Sequence, residues 1–129
     1  MDTQTQRKLE HLFELLALPP QRVTPRMRVA LGPCVLMTDV DANGVTLALT
    51  LFRRVSGAQR CLPLLLQTCV PEWSLGIPVR ACVAQGRPML IATPPIRGNS
   101  QALEWVSCLR RMRRLLERID AQRQRETRS

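Results

Sequence analysis

The dipeptide Asn43-Gly44 constrains this chain more than any other feature. It sits between two alternating apolar runs, Cys34 to Val40 and Val45 to Phe52. Asn-Gly between such runs is the strongest short-range signal for a β-hairpin. A two-residue turn at Asn43-Gly44 predicts that Val40 pairs with Leu47 and Leu36 with Leu51. Those four side chains then share one face with Val45 and Leu49, so the hairpin has a strongly apolar side.

The rest of the chain supplies candidates to cover that side. From about Thr3 to Leu18, Leu9, Leu12, Phe13 and Leu16 follow amphipathic-helix spacing, and Pro19-Pro20 ends the pattern. Leu15 and Leu18 lie off this stripe beside His11. Either the helix packs on two sides or this second flank meets a partner. Met27, Val29 and Leu31 alternate with Arg28 and Ala30, as a half-exposed edge strand would. Cys61 to Thr68 is an apolar run that suits a strand or a short helix, and Pro71 to Gly76 is a connection or a single turn. Ile77, Val79, Ala81 and Val83 alternate as a strand, Ala84 to Arg87 turns, and Met89 to Thr93 returns to Pro94-Pro95.

A last helix begins near Ser100, a good N-cap. Ala102, Trp105, Val106, Leu109, Met112, Leu116 and Ile119 form one stripe along it. Arg110, Arg111, Arg114 and Arg118 project elsewhere as a basic surface, whereas Arg113 falls close to the stripe. The expected fold is α+β. An antiparallel twisted sheet of about five strands carries N- and C-terminal helices, in the order α-β-β-β-(short turn or helix)-β-β-α. Residues 1–121 form a single domain and 122–129 a frayed basic tail.

Composition narrows the function classes. With 129 residues and 45% apolar content the chain builds its own core and is not a disordered segment. The opening Met1-Asp2-Thr3-Gln4 lacks the grading of a signal peptide, and no apolar run approaches a membrane span, so a soluble cytoplasmic protein is expected. Five cysteines, an odd number with no C-x-x-C pair, read as reduced thiols packed among apolar residues. The net charge of +9 invites nucleic acid or an acidic partner. Yet 18 of the 19 basic residues are arginine, which fits a GC-rich genome better than a dedicated binding surface.

Catalytic and metal chemistry find little support. Asp39-x-Asp41-x-Asn43-Gly44 matches the opening of a calcium-binding EF-hand loop, but its twelfth position is Thr50 and strands flank it. His11 is the single histidine and has no candidate nucleophile nearby in sequence. The serines lack a nucleophile-elbow context, and the glycines are scattered singly rather than grouped to cradle phosphate. Neither a cofactor nor a metal is expected, and neither is enzymatic activity. Arg110 to Arg114 read RRMRR, so a small basic nucleic-acid-binding regulator is the alternative; four aromatic residues and no Tyr make a stacking platform improbable.

The leading Leu-rich helix, the segment GPCVLMTDVDANGVTLALTL, the later hairpin IPVRACVAQGRPMLIATPP and the long closing helix together carry a resemblance. Over roughly residues 5–120 the chain resembles the small class I chaperones of bacterial type III secretion systems, the CesT/SycE-like group. The resemblance implies a non-enzymatic and usually homodimeric protein. It would bind an extended segment of a secreted effector, using apolar surface on the first helix and the sheet. Carried onto this sequence, the partner-binding candidates are Leu15 and Leu18 on the helix flank and Val35 and Met37 on the other face of the hairpin. That second face is either simply covered by the terminal helices or is a binding surface.

Two features depart from the family. Its members are mostly acidic, and they place a dimer-forming helix between the third and fourth strands. If Cys61 to Thr68 is a strand, only Pro71 to Gly76 remains for that helix. Both departures suit a chaperone-like member that binds a regulatory protein instead of an exported effector, with an acidic partner attracted by the arginines.

Overall fold

Five strands form one antiparallel sheet in the computed structural model, which describes residues 1–95 and 102–128. They are β1 (Arg26–Leu31), β2 (Cys34–Asp41), β3 (Gly44–Leu51), β4 (Val79–Ala84) and β5 (Arg87–Ala92), ordered β1-β2-β3-β5-β4. The helices are α1 (Thr3–Leu15), α2 (Leu62–Leu66), α3 (Pro71–Ser74) and α4 (Ala102–Arg128), with a 3-10 turn at Ala58–Cys61 before α2. This is the expected α+β fold in the expected element order. Among the described residues no helix is long and apolar enough to cross a membrane.

The β2–β3 hairpin keeps its predicted face but not its predicted register. Val40 pairs with Val45 and Leu36 with Leu49, so the corner is Ala42-Asn43, one residue earlier than expected. Asp41 explains the difference: its carboxylate accepts from the amides of Asn43 at 2.7 Å and Gly44 at 3.1 Å, an Asx turn that fixes where the strand reverses. The pairing thereby slips by two residues, and a two-residue slip leaves every side chain on its original face. Cys34, Leu36, Val45, Leu47, Leu49 and Leu51 are all buried on that inner side. At the β4–β5 turn Gln85 and Gly86 both take positive φ, as a primed two-residue hairpin turn requires.

Helix α4 lays its stripe over the inner face. Ala102, Trp105, Val106, Leu109, Met112, Leu116 and Ile119 are all buried, and they join Leu36, Leu49 and Leu90 in one core. Truncating any of these large side chains to alanine costs about 2–5 kcal/mol, a large share of a domain's total stability. Ser100, the expected N-cap, lies outside the described residues. The C-terminal stretch expected to fray is instead helical to Arg128. Arg123 pairs with Glu126 and Gln124 reaches Asp120, so the polar end carries its own side-chain bonds along one helix.

Helix α1 packs on α4 through Leu9, Leu12 and Phe13, and Lys8 lies 5.8 Å from the Trp105 ring centroid. Asp2 caps it by accepting from the Thr5 amide at 2.6 Å, which lowers the Asp2 pKa. The helix stops at Leu15, before the prolines, because Ala17 turns left-handed at φ 57. The Leu18 amide then donates to the Phe13 carbonyl and the Ala17 amide to that of Glu14, a Schellman ending with alanine where glycine is usual.

Cys61 to Thr68, ambiguous in sequence, is helical. Pro63 falls in the first turn of α2, where its missing N–H costs nothing, and the Leu run that follows has no β-branched residue. Leu65 enters the core, and the Thr68 hydroxyl donates to the Leu65 carbonyl at 2.7 Å to close the turn.

Two local features oppose this fold, an exposed left-handed alanine and a buried hydroxyl, and each makes a prediction. Ala17→Gly relieves the left-handed alanine and should raise stability by about 0.5–1 kcal/mol, read from the denaturant midpoint. The Thr38 hydroxyl is buried on the inner face without a hydrogen-bond partner among the described residues. Thr38→Val, nearly the same shape, should raise stability by roughly 1 kcal/mol. A lower midpoint in either variant contradicts the corresponding account.

Candidate protein-binding surface

Because alternation sends the inner residues to the helices, the opposite parity defines a second face. Across the strands, Ala30, Val35, Thr50, Met89 and Cys82 form one row of register neighbours. Arg28, Met37, Ala48, Ile91 and Arg80 form the next. None of the side chains in these two rows belongs to the core that α1, α2 and α4 build with the inner face. Among the described residues this face therefore has no helical layer over it. Its centre is apolar: Met37, Ala48, Met89, Ile91 and Cys82 are half-buried, and Val35 is only 5% exposed although it stands outside the core. The Thr50 hydroxyl is occupied, donating to the Pro88 carbonyl at 2.8 Å.

The rim differs from the centre. Arg26 and Arg28 on β1 and Arg80 on β4 are exposed, and these are the two edge strands. Arg26 lies 3.7 Å from Asp39, an exposed cross-strand pair worth little to stability. An apolar floor between basic edges suits an extended acidic-apolar segment laid against the sheet or paired to an edge.

Of the four partner-binding candidates, Val35 and Met37 lie on this open face. Leu15 and Leu18 do not join them; both are half-buried against the core, on the side of the helices. The sequence reading missed Ala48, Met89 and Ile91. A signal was present for β5, where Pro88 to Ala92 is apolar at both parities, as strands facing apolar surroundings on both sides are. Leu66, Val70 and Leu75 are also exposed, on the segment that holds α2 and α3.

The predicted basic surface divides. Arg110, Arg114 and Arg118 are exposed on α4. Arg111 is also exposed, but its guanidinium donates to the Trp73 carbonyl at 2.7 Å and so ties α4 to the end of α3. Arg113, close to the apolar stripe, reaches the β1–β2 turn. Its Nη2 stands 3.0 Å from where a Cβ on Gly32 would lie, and its Nε pairs with Glu117 at 2.7 Å. Gly32, at φ 60, is thus required by both its backbone conformation and this close approach.

Titratable chemistry is sparse. His11 is exposed on α1. Among the described residues no group of three or more His, Cys, Asp or Glu side chains gathers to hold a metal. Burial pushes the Cys34 thiol up to about 12, with Glu117 adding and Arg113 opposing, and pushes Cys108 up to about 11. The thiolate is the form that attacks a thiol reagent, so in the folded protein near pH 8 Cys82, half-buried on the open face, should label well before Cys34 and Cys108. Mass spectrometry of digested protein reads the order; early labelling of Cys34 contradicts the packing described here.

No curated protein matches the chain. The model of one protein family, SsaM, matches residues 2–119, which takes in α1, the whole sheet and most of α4. The chain belongs to the SsaM family.

Proposed function

We propose that this chain is a non-enzymatic, chaperone-like protein of a bacterial type III secretion system. It holds an extended segment of an exported effector or of a secretion regulator on the open face of its sheet. The observation that carries this reading is the half-exposed apolar floor of Met37, Ala48, Met89 and Ile91, around the already buried Val35, with no helix over it among the described residues. Burying such a floor releases water at roughly 25 cal/mol per Å², and β1 offers an unpaired edge for backbone pairing. The element order supports the same reading, since it agrees with the class I secretion chaperones. The helical turns between β3 and β4 lie where the class I chaperones place a helix. The exposed Leu66, Val70 and Leu75 on that segment suit a homodimer contact.

The exposed Arg110, Arg114 and Arg118 on α4 favour a second reading, a small basic nucleic-acid-binding regulator. Cross-linking in the source bacterium separates the two. A photo-reactive residue at Met37 should capture one dominant protein, and the same residue at Arg118 should not. Met37→Asp with Ile91→Asp should lower recovery of that protein by about tenfold or more while the melting temperature holds. Capture of nucleic acid from Arg118, with none of any protein from Met37, overturns the leading reading.

A further inference from the structure

Phe52 is the most exposed large apolar side chain among the described residues, at 64%, and it does not sit on a loose loop. Its amide donates to the Pro33 carbonyl at 2.9 Å, and the Phe52 carbonyl accepts from Arg87 Nε at 3.2 Å. Three residues on, the Val55 amide donates to the Gly86 carbonyl and the Val55 side chain enters the core. The backbone that carries Phe52, Arg53 and Arg54 is therefore held at both ends while these three side chains face outward. Holding an aromatic ring in water costs free energy that a monomer gains nothing from, and a fixed backbone lowers the entropy cost of docking.

The surroundings are polarised. Arg53 lines two adjoining clefts. The smaller, of about 250 Å³, also has Phe52, Gly32, Pro33 and Asp120 on its wall. The larger, of about 760 Å³, runs past Arg54, Ser56, Arg123 and Glu126. Arg123 is already paired with Glu126, and Gln124 occupies Asp120. Arg53 and Arg54 have no carboxylate within ion-pair distance among the described residues. An anchor ring beside two uncommitted guanidinium groups matches a segment with an apolar side chain next to carboxylates, since Arg takes carboxylates bidentately.

We propose that Phe52, Arg53 and Arg54 form a docking site for an acidic segment of a protein partner. An apolar side chain of that segment packs on Phe52, and its carboxylates meet the two arginines. The site is separate from the open sheet face, lying at the end of β3 beside the second half of α4, and it does not rest on the function proposed above.

The test uses the full chain and a short fluorescein-labelled peptide alternating glutamate pairs with leucine, followed by fluorescence anisotropy near physiological salt. A second peptide replaces each leucine by serine. The first peptide should bind, and both the serine peptide and the Phe52→Ala variant should weaken binding by about tenfold. Arg53→Glu with Arg54→Glu should do the same, whereas Arg110→Glu with Arg114→Glu, an equal change in net charge, should cost less than about threefold. Unchanged melting temperatures show that the variants fold. Equal loss from both charge reversals, indifference to Phe52→Ala, or no binding at all overturns the proposal. So does duplex DNA that binds more tightly than the peptide and is lost with Arg53 and Arg54. Conversion of an oligomer to a monomer by Phe52→Ala likewise overturns it, since the site would then serve a second copy of the chain.

Discussion

Everything in this molecule depends on α4 lying along the inner face of the sheet. Trp105, Leu109, Met112 and Leu116 are fully or almost fully buried there, against strands whose alternation sends Leu36, Leu47, Leu49 and Leu90 toward them. Helices α1 and α2 then add to the same side: α1 packs on α4, and Leu65 of α2 fills the space by β4 and β5. With every core-forming helix on one side, the described residues form two layers, and among them the second sheet face lacks a third. The open apolar floor is a direct consequence of where the closing helix packs.

Much of that arrangement was legible in the sequence because it rests on period. The stripe from Ala102 to Ile119 and the alternation of β2, β3 and β4 identify the buried side without any knowledge of contacts. What stayed hidden depends on single atoms. The hairpin corner was misplaced because Asn-Gly is a statistical signal, whereas the Asp41 carboxylate decides which residues turn. Cys61 to Thr68 could not be typed by period, since eight residues with one proline fit both a strand and a helix; Pro63 sits in the first turn of the helix that forms, followed by leucines with no β-branching. The tail past Ala121 reads as polar coil, yet its Gln124 is spaced to reach Asp120, and its Arg123 to reach Glu126, only if helical.

The candidate surface was half legible for a related reason. Val35 and Met37 follow from hairpin parity, but pairing them with Ala48, Met89 and Ile91 requires β5 to insert between β3 and β4. That order is a crossing of the chain that no local pattern announces. Leu15 and Leu18 leave the α1 stripe, which left open whether that flank packs or meets a partner; the turn that ends the helix brings Leu18 against the core. Arginine roles were the least legible of all. One guanidinium closes α3, a second lies over Gly32 and a third reaches the Cys61 sulfur, so composition alone overstated the free basic surface.

An open sheet face with an apolar centre invites aggregation unless its edges refuse other chains. Here the edges carry Arg26 and Arg28 on one side and Arg80 on the other, all exposed. Two copies approaching edge to edge would bring like charges together, which opposes strand pairing between identical molecules. On the proposed function the same residues would attract a strand bearing carboxylates, so one charge pattern would both discourage self-assembly at the edges and favour an acidic guest. On the proposed function, selection by edge charge and binding by the floor would be separable: neutral substitution at the arginines would relax which segment binds, whereas loss of Met37 or Ile91 would remove the area that holds it.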